Sequence, residues 1–146
     1  MSRHGSYSRK DVRTASGERL KPVPIQRWHC KEHGVFSFLP AFLARWTRYL
    51  AEVVGTVVKA VAARGRPELP VEVTGPDPRT ALRWFRGLFD ERLKRWFLQR
   101  LRGGPPGSQG AHEMIELAES YARQLHLDPR EFFSILQSAR FASTSG

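Results

Sequence analysis

Polar and apolar positions alternate with period two near the N-terminus and with period three to four further on. "RHGSYSRKDV" (3–12) and "RLKPVPIQRW" (19–28) flank Ser16-Gly17 and read as a two-stranded ribbon. Pro22 and Pro24 confine the second strand to an edge or fall at its beginning. "VFSF" (35–38) reads as a third short strand, stopped by Leu39-Pro40. From Pro40, which suits a first helical position, the period becomes helical. Tyr49, Leu50, Val53, Val57, Ala60 and Val61 fall on one stripe of a helix ending at Gly65. "RPELPVEVTGPDP" follows as a proline-rich linker. Asp77-Pro78 then makes a good helix start, with the carboxylate as cap and proline at the first position. That helix is expected to reach about Phe89, and a second one to occupy "DERLKRWFLQRLR". "GGPPGSQG" breaks the chain at 103–110. Two more helices are expected over "AHEMIELAESYARQLHL" and, after Asp128, "REFFSILQSARF", with the last five residues fraying. The pattern predicts an α+β fold: a short antiparallel β-ribbon, then a mainly helical remainder.

The helix starting at Asp77 has two distinct faces. Ala81, Leu82, Phe85, Leu88 and Phe89 cluster on one, while Arg79, Arg83 and Arg86 fall within about 60° of one another on the other. A helix that packs by one face and shows three arginines on the opposite one fits a major groove, where guanidiniums fork onto guanine edges or phosphates. The alternative is a solvated basic face. Trp84 and Trp96 read as packing residues rather than stacking platforms.

Charge sharpens the choice. The 146 residues carry a net charge of +10, which favours a polyanionic partner. Residues 1–34 hold eight Lys/Arg against three Asp/Glu, and residues 77–102 hold the same balance. The segment between them is close to neutral, and residues 103–146 are net acidic, with five Asp/Glu against three Lys/Arg. The single cysteine, Cys30, excludes an internal disulfide framework. "MSRHGSYSRKD" has no apolar centre and is not a signal peptide. The longest apolar run, 49–63, is interrupted by Glu52 and Lys59 and is too short to span a bilayer. No membrane partner and a cytoplasmic location are therefore expected.

Nothing in the chain reads as catalytic. Metal-assisted cleavage of nucleic acid needs acidic residues held close together, and here they are scattered. His112, Glu113 and Glu116 lack the second histidine of a zincin, and Glu113, Glu116 and Glu119 read as a solvated helix face. "RGGPPG" is a linker rather than a phosphate loop. The expectation is a protein that is not an enzyme.

"RHGSYSRK", "IQRWHCKEHGVFSFLP" and "RYLAEVV" together resemble the N-terminal region of prokaryotic transposon-associated, transposase-like proteins. In that family a zinc ribbon precedes a helix-turn-helix. Gly5, Tyr7, Arg9, Arg27, Cys30, His33, Gly34, Phe36, Ser37, Leu39, Pro40, Arg48 and Tyr49 match the pattern, and "DPRTALRWF" is similar to the family's recognition helix. The match covers roughly residues 3–90. It implies a degenerate zinc ribbon over 1–39 and a helical, helix-turn-helix-like DNA-binding region over 40–102; the glycine-proline break and the periodicity after it add a linker over 103–110 and a C-terminal helical pair over 111–141. The family's first ligand pair precedes the Gly-x-Tyr-x-Arg strand, a place that falls ahead of Met1. A structural zinc site wants four ligands, and Cys30 with His33 supplies two. His4 and His29 are the other candidates, but strand geometry points His29 away from Cys30's side. No cofactor is expected, and zinc only with an incomplete site. A second departure is "RPELPVEVTGPDP", where the family has a short helix before the recognition helix and Pro67, Pro70 and Gly75 oppose one.

These readings converge on a small basic protein that binds duplex DNA. Phosphates would meet Arg3, Arg9, Lys10 and Arg13 of the ribbon, and the groove would meet Arg79, Thr80, Arg83 and Arg86, with Arg92 and Arg95 beside them. Three alternatives stand next to it. RNA would stack on Tyr7, Trp28 and Phe36. A homodimer or protein partner would use the C-terminal helices through Met114, Leu117, Tyr121 and Leu125. A membrane surface would meet Leu93, Trp96, Phe97 and Leu101, although that stripe fits the domain core better.

Overall fold

A computed structural model describes residues 2–32, 34–37, 39–45, 47–103, 107 and 109–145; of Phe36, Thr144 and Ser145 it describes the backbone. Three strands, β1 (Ser2–Arg9), β2 (Val23–Cys30) and β3 (Gly34–Ser37), form one antiparallel sheet in the order β1-β2-β3. β2 is the central strand, so Pro24 is not on an edge strand. It pairs with Ser8, in the stretch of β2 that β3 does not reach, since β3 joins only from Arg27 onward. A proline is tolerated there because one side of the strand has no ladder to complete. β1 stops at Arg9, short of the expected Val12, whose side chain turns into a small apolar cluster with Ile25 and Leu43.

Residues 40–50 do not continue the helical pattern back to Pro40. Helix α1 spans Ala51–Arg64, with Leu50 still extended at its N-cap. The backbone groups that a helix over 40–50 would need are used elsewhere. Arg9 donates to the carbonyls of Ala44 and Thr47 at 2.9 and 2.8 Å. Gln137 exchanges hydrogen bonds with both backbone groups of Arg45, and the Arg13 N–H donates to the carbonyl of Arg48. The segment is a strap tied to the sheet on one side and to the bundle on the other. α1 ends where expected, at Gly65 in the left-handed conformation. Ala51, Val53, Val54, Val57, Val58 and Val61 are all buried, more of the helix than one stripe, so α1 runs through the centre of the bundle.

α2 (Pro78–Arg86) starts at its Asp77 cap, whose carboxylate accepts from the Thr80 N–H at 2.8 Å. It ends at Gly87 rather than near Phe89, and the face it buries is Ala81 and Trp84, continued by Leu88. Phe89, expected on that face, is 59% exposed, because the chain has left the helix before reaching it. Trp84 packs edge-on against Tyr49. α3 (Glu91–Arg100), α4 (Ala111–Gln124), a 3-10 turn (Pro129–Glu131) and α5 (Phe132–Ser145) complete the chain. α5 continues through the stretch expected to fray. One core joins α1 to α3 with α4 and α5 through Val57, Leu93, Phe97, Leu117, Phe132 and Leu136. The α+β architecture is as the pattern predicts. No helix among the described residues is long and apolar enough to cross a membrane.

Two stripes considered as partner surfaces face inward. Met114 and Leu117 are buried, and Tyr121 packs against Trp96 and Phe97, which leaves Leu125 exposed. Leu93 and Phe97 are buried as well.

Candidate nucleic-acid interface

The cap at Asp77 and the packing of Ala81 and Trp84 set the rotation of α2. Arg79, Arg83 and Arg86 consequently stand on the exposed side, and none makes an ion pair within 4.0 Å among the described residues, although Arg79 acts on Asp77 at longer range. Several cations elsewhere have an acidic partner. Arg13, Arg19 and Arg48 surround Asp11 at 2.9, 3.3 and 3.6 Å. Lys59 pairs with Glu119 at 2.7 Å, Lys94 with Glu113 at 3.0 Å and Arg130 with Asp128 at 2.8 Å. The unneutralised charge of the helical part is thus concentrated on α2 and α3.

The ribbon and α2, which the sequence could only propose separately, line one cleft of about 660 Å³. Arg9 and Lys10 at the end of β1, Arg48 on the strap, and Thr80 and Arg83 on α2 contribute to its wall, together with Asp11 and Asp77. Four cations face two carboxylates. Asp11 is held below its ordinary value of 3.8, chiefly by the hydrogen bond from Arg13, and Asp77 likewise by the Thr80 N–H. Both are therefore ionised at neutral pH, but each directs its charge to partners inside the fold. The wall of the cleft is therefore net positive.

Its residues differ in what they are free to do. Arg9 is half-buried and donates from Nη1 and Nη2 to strap carbonyls, so it clasps the sheet to the strap. Arg13 is similarly engaged, with Nε donating to Asp11 and Nη1 to the carbonyl of Gly17. Lys10 and Arg83 have no such ties among the described residues. Arg3 lies elsewhere, with its guanidinium 5.9 Å from the centre of the Trp28 ring. Arg92 and Arg95 line a separate groove of about 280 Å³ between α3 and α5, with Trp96, Gln99 and Arg100. There Arg100 lies over the Trp96 ring at 4.0 Å. The sequence does not mark Arg48 as a site residue, although it stands in the Arg-Tyr pair that carries the resemblance.

Of the two zinc-ligand candidates, Cys30 lies half-buried at the end of β2, and His33 is outside the described residues. His29 projects to the other face of the sheet from Cys30, as adjacent strand residues must, and its ring lies 6.2 Å from that of His4. Among the described residues no three His, Cys, Asp or Glu come together to hold a metal. The described residues therefore do not assemble the four-ligand set of a structural zinc site. Between α1 and α2 no short helix intervenes among the described residues. Residues 65–77 make a long connection in place of the tight turn of a helix-turn-helix. α3 follows α2 after four residues, but it packs on α4 and α5 while α2 packs on α1.

Set against family models, curated proteins and solved structures, the chain matches none of them.

Proposed function

We propose that this protein binds duplex DNA, presenting α2 to a groove while the cleft beside it takes a phosphate strand, and that it acts by binding rather than by catalysis. The observation that carries the reading is the set of exposed arginines on α2, Arg79, Arg83 and Arg86, next to a cleft whose wall includes the basic end of the ribbon. Arg83 belongs to both features. Phosphate contacts from Lys10, Arg48 and Arg83 would supply most of the affinity, and Arg79 and Arg86 would extend along the groove. The resemblance to transposase N-terminal regions agrees with this, and the same reading puts the protein in the cytoplasm of a prokaryotic cell.

Fluorescence anisotropy with a mixed-sequence duplex, titrated from low to physiological salt, tests the reading. The affinity is expected to fall log-linearly with salt, and each phosphate-contacting arginine changed to alanine lowers the slope by about one. Arg83→Ala is expected to cost about 1–3 kcal/mol if it reaches a base edge. Absence of duplex binding at low salt, or a triple alanine variant of Arg79, Arg83 and Arg86 that binds like the parent, would refute it.

A further inference from the structure

Among the described residues, the cleft is lined by the end of β1, the strap and α2 with the residues before it, and by no residue of α5. The strap end and α2 touch directly where the ring of Tyr49 meets that of Trp84 edge-on at 5.9 Å. Each side is also tied separately to α5. Gln137 donates from Nε2 to the carbonyl of Arg45 at 3.0 Å, and its Oε1 accepts from the Arg45 N–H at 2.8 Å. Ser134, buried about one turn earlier, donates to the carbonyl of Ala41 at 2.7 Å. Arg45 stands three residues before Arg48, so these bonds hold the stretch of strap that leads into the cleft.

Arg140 serves the other side. It donates from Nη2 to the carbonyl of Gly87, the C-cap of α2, and its Nε lies 3.5 Å from the carboxylate of Asp90, the cap of α3. The end of α2 is thereby fastened four residues beyond Arg83. Gln137 and Arg140 stand close to one turn apart on a single helix, about 4.5 Å along the axis and about 60° around it. A hydrogen-bonded helical turn is stiff, so the two ties fix the strap and α2 relative to each other.

We infer that this turn of α5 sets the spacing between two sides of the cleft, with Gln137 the positioning residue for Arg48 and Arg140 the positioning residue for Arg83. The inference rests on the duplex-binding reading of the cleft. Phosphates along a strand come at a fixed repeat, so two cations meet them together only when held at a matching distance. Cations already held at that distance need not be ordered by the ligand, which raises affinity without any new contact.

Two crossed mutant cycles, read by anisotropy with a mixed-sequence duplex and the full chain, test this. In the parent, Arg48→Ala and Arg83→Ala are each expected to lower affinity and to reduce the salt slope by about one. Gln137→Ala should weaken duplex binding about threefold to tenfold, the cost of ordering one long side chain on the ligand. It should also remove most of the further effect of Arg48→Ala while leaving that of Arg83→Ala. Arg140→Ala should do the reverse, masking Arg83→Ala and not Arg48→Ala. Arg140→Lys, which keeps a donor for the Gly87 carbonyl, should restore most of the affinity. If an alanine variant is poorly folded by circular dichroism, Gln137→Glu, which keeps the acceptor for the Arg45 N–H, or Arg140→Gln takes its place in the cycle. Additive cycles overturn the inference, because a residue that only stabilises the fold does not select one arginine. Masking of both arginines by either variant overturns it too, and so does binding indifferent to Gln137 and Arg140. In each of these cases duplex binding that depends on Arg83 leaves the proposed function standing, whereas a parent that binds no duplex refutes both.

Discussion

At the scale of single residues, local chemistry is readable and distant partners are not. Asp77 is legible as a cap because its partner, the Thr80 N–H, is three residues away. Arg9 reads as a phosphate contact, yet its partners are the carbonyls of Ala44 and Thr47, which no spacing rule brings near it. Gly55 is the sharpest case. Glycine in the middle of a helix costs roughly 0.5–1 kcal/mol relative to alanine, and nothing in "VVGTVVK" explains its presence. The structure does: a Cβ there would meet Phe132 Cε1 at 2.8 Å and the carbonyl oxygen of Arg130 at 3.2 Å. α1 thus lets the 3-10 turn and the start of α5 approach its backbone. Gly55→Val is expected to destabilise the protein by about 1–3 kcal/mol through overpacking, read as a lower denaturant midpoint. A variant as stable as the parent would mean that Phe132 swings aside at no cost.

Elements with their own punctuation are the legible ones. β1, β3, α2, α3 and α4 start close to where alternation, Asp caps and the glycine-proline break put them, since those signals act within a few residues, whereas β2 starts at Val23, four residues after the expected Arg19. The start of α1 is not legible, because the helical pattern in 40–50 loses to hydrogen bonds from Arg9, Arg13 and Gln137, each far away in the chain. The cap of α2 also makes a pH prediction. Its carboxyl is held below 3.8 in the folded state by the Thr80 N–H. A depressed folded pKa gives stability that is present above the unfolded value and is lost as pH falls through the folded one. Asp77→Ala should therefore melt below the parent at neutral pH, and the gap should close in strong acid. Asp77→Asn, which keeps an acceptor but cannot titrate, should show a flatter difference against pH. A gap between Asp77→Ala and the parent that persists unchanged in acid would mean that the charge of the cap contributes nothing.

For the molecule as a whole, the decisive feature is that apolar residues gather in two clusters of very different size. One runs through α1 to α5, and the other is Val12, Ile25 and Leu43 beneath the sheet, edged by Leu20, Val23, Leu39 and Leu50. Leu50 packs on both, and the strap between them carries the clasp from Arg9. The candidate cleft lies where these parts meet, so its shape depends on the smaller cluster. That dependence was invisible in the sequence, which showed a ribbon and a helix without the strap that sets one against the other. A small cluster with few buried side chains opens at lower free energy than a large one. Leu43 is 1% exposed at its centre, and Leu43→Ala removes about 2–5 kcal/mol from a buried site of this kind. Hydrogen exchange should then quicken in β1, β2 and the strap, while amides of α1 such as Val57 and Val58 keep their protection. Duplex affinity should fall with the loss of the wall that carries Lys10, although no arginine of α2 has changed. If α1 loses protection in step with β1, the strap makes sheet and bundle a single cooperative unit, and the cleft is as rigid as the core.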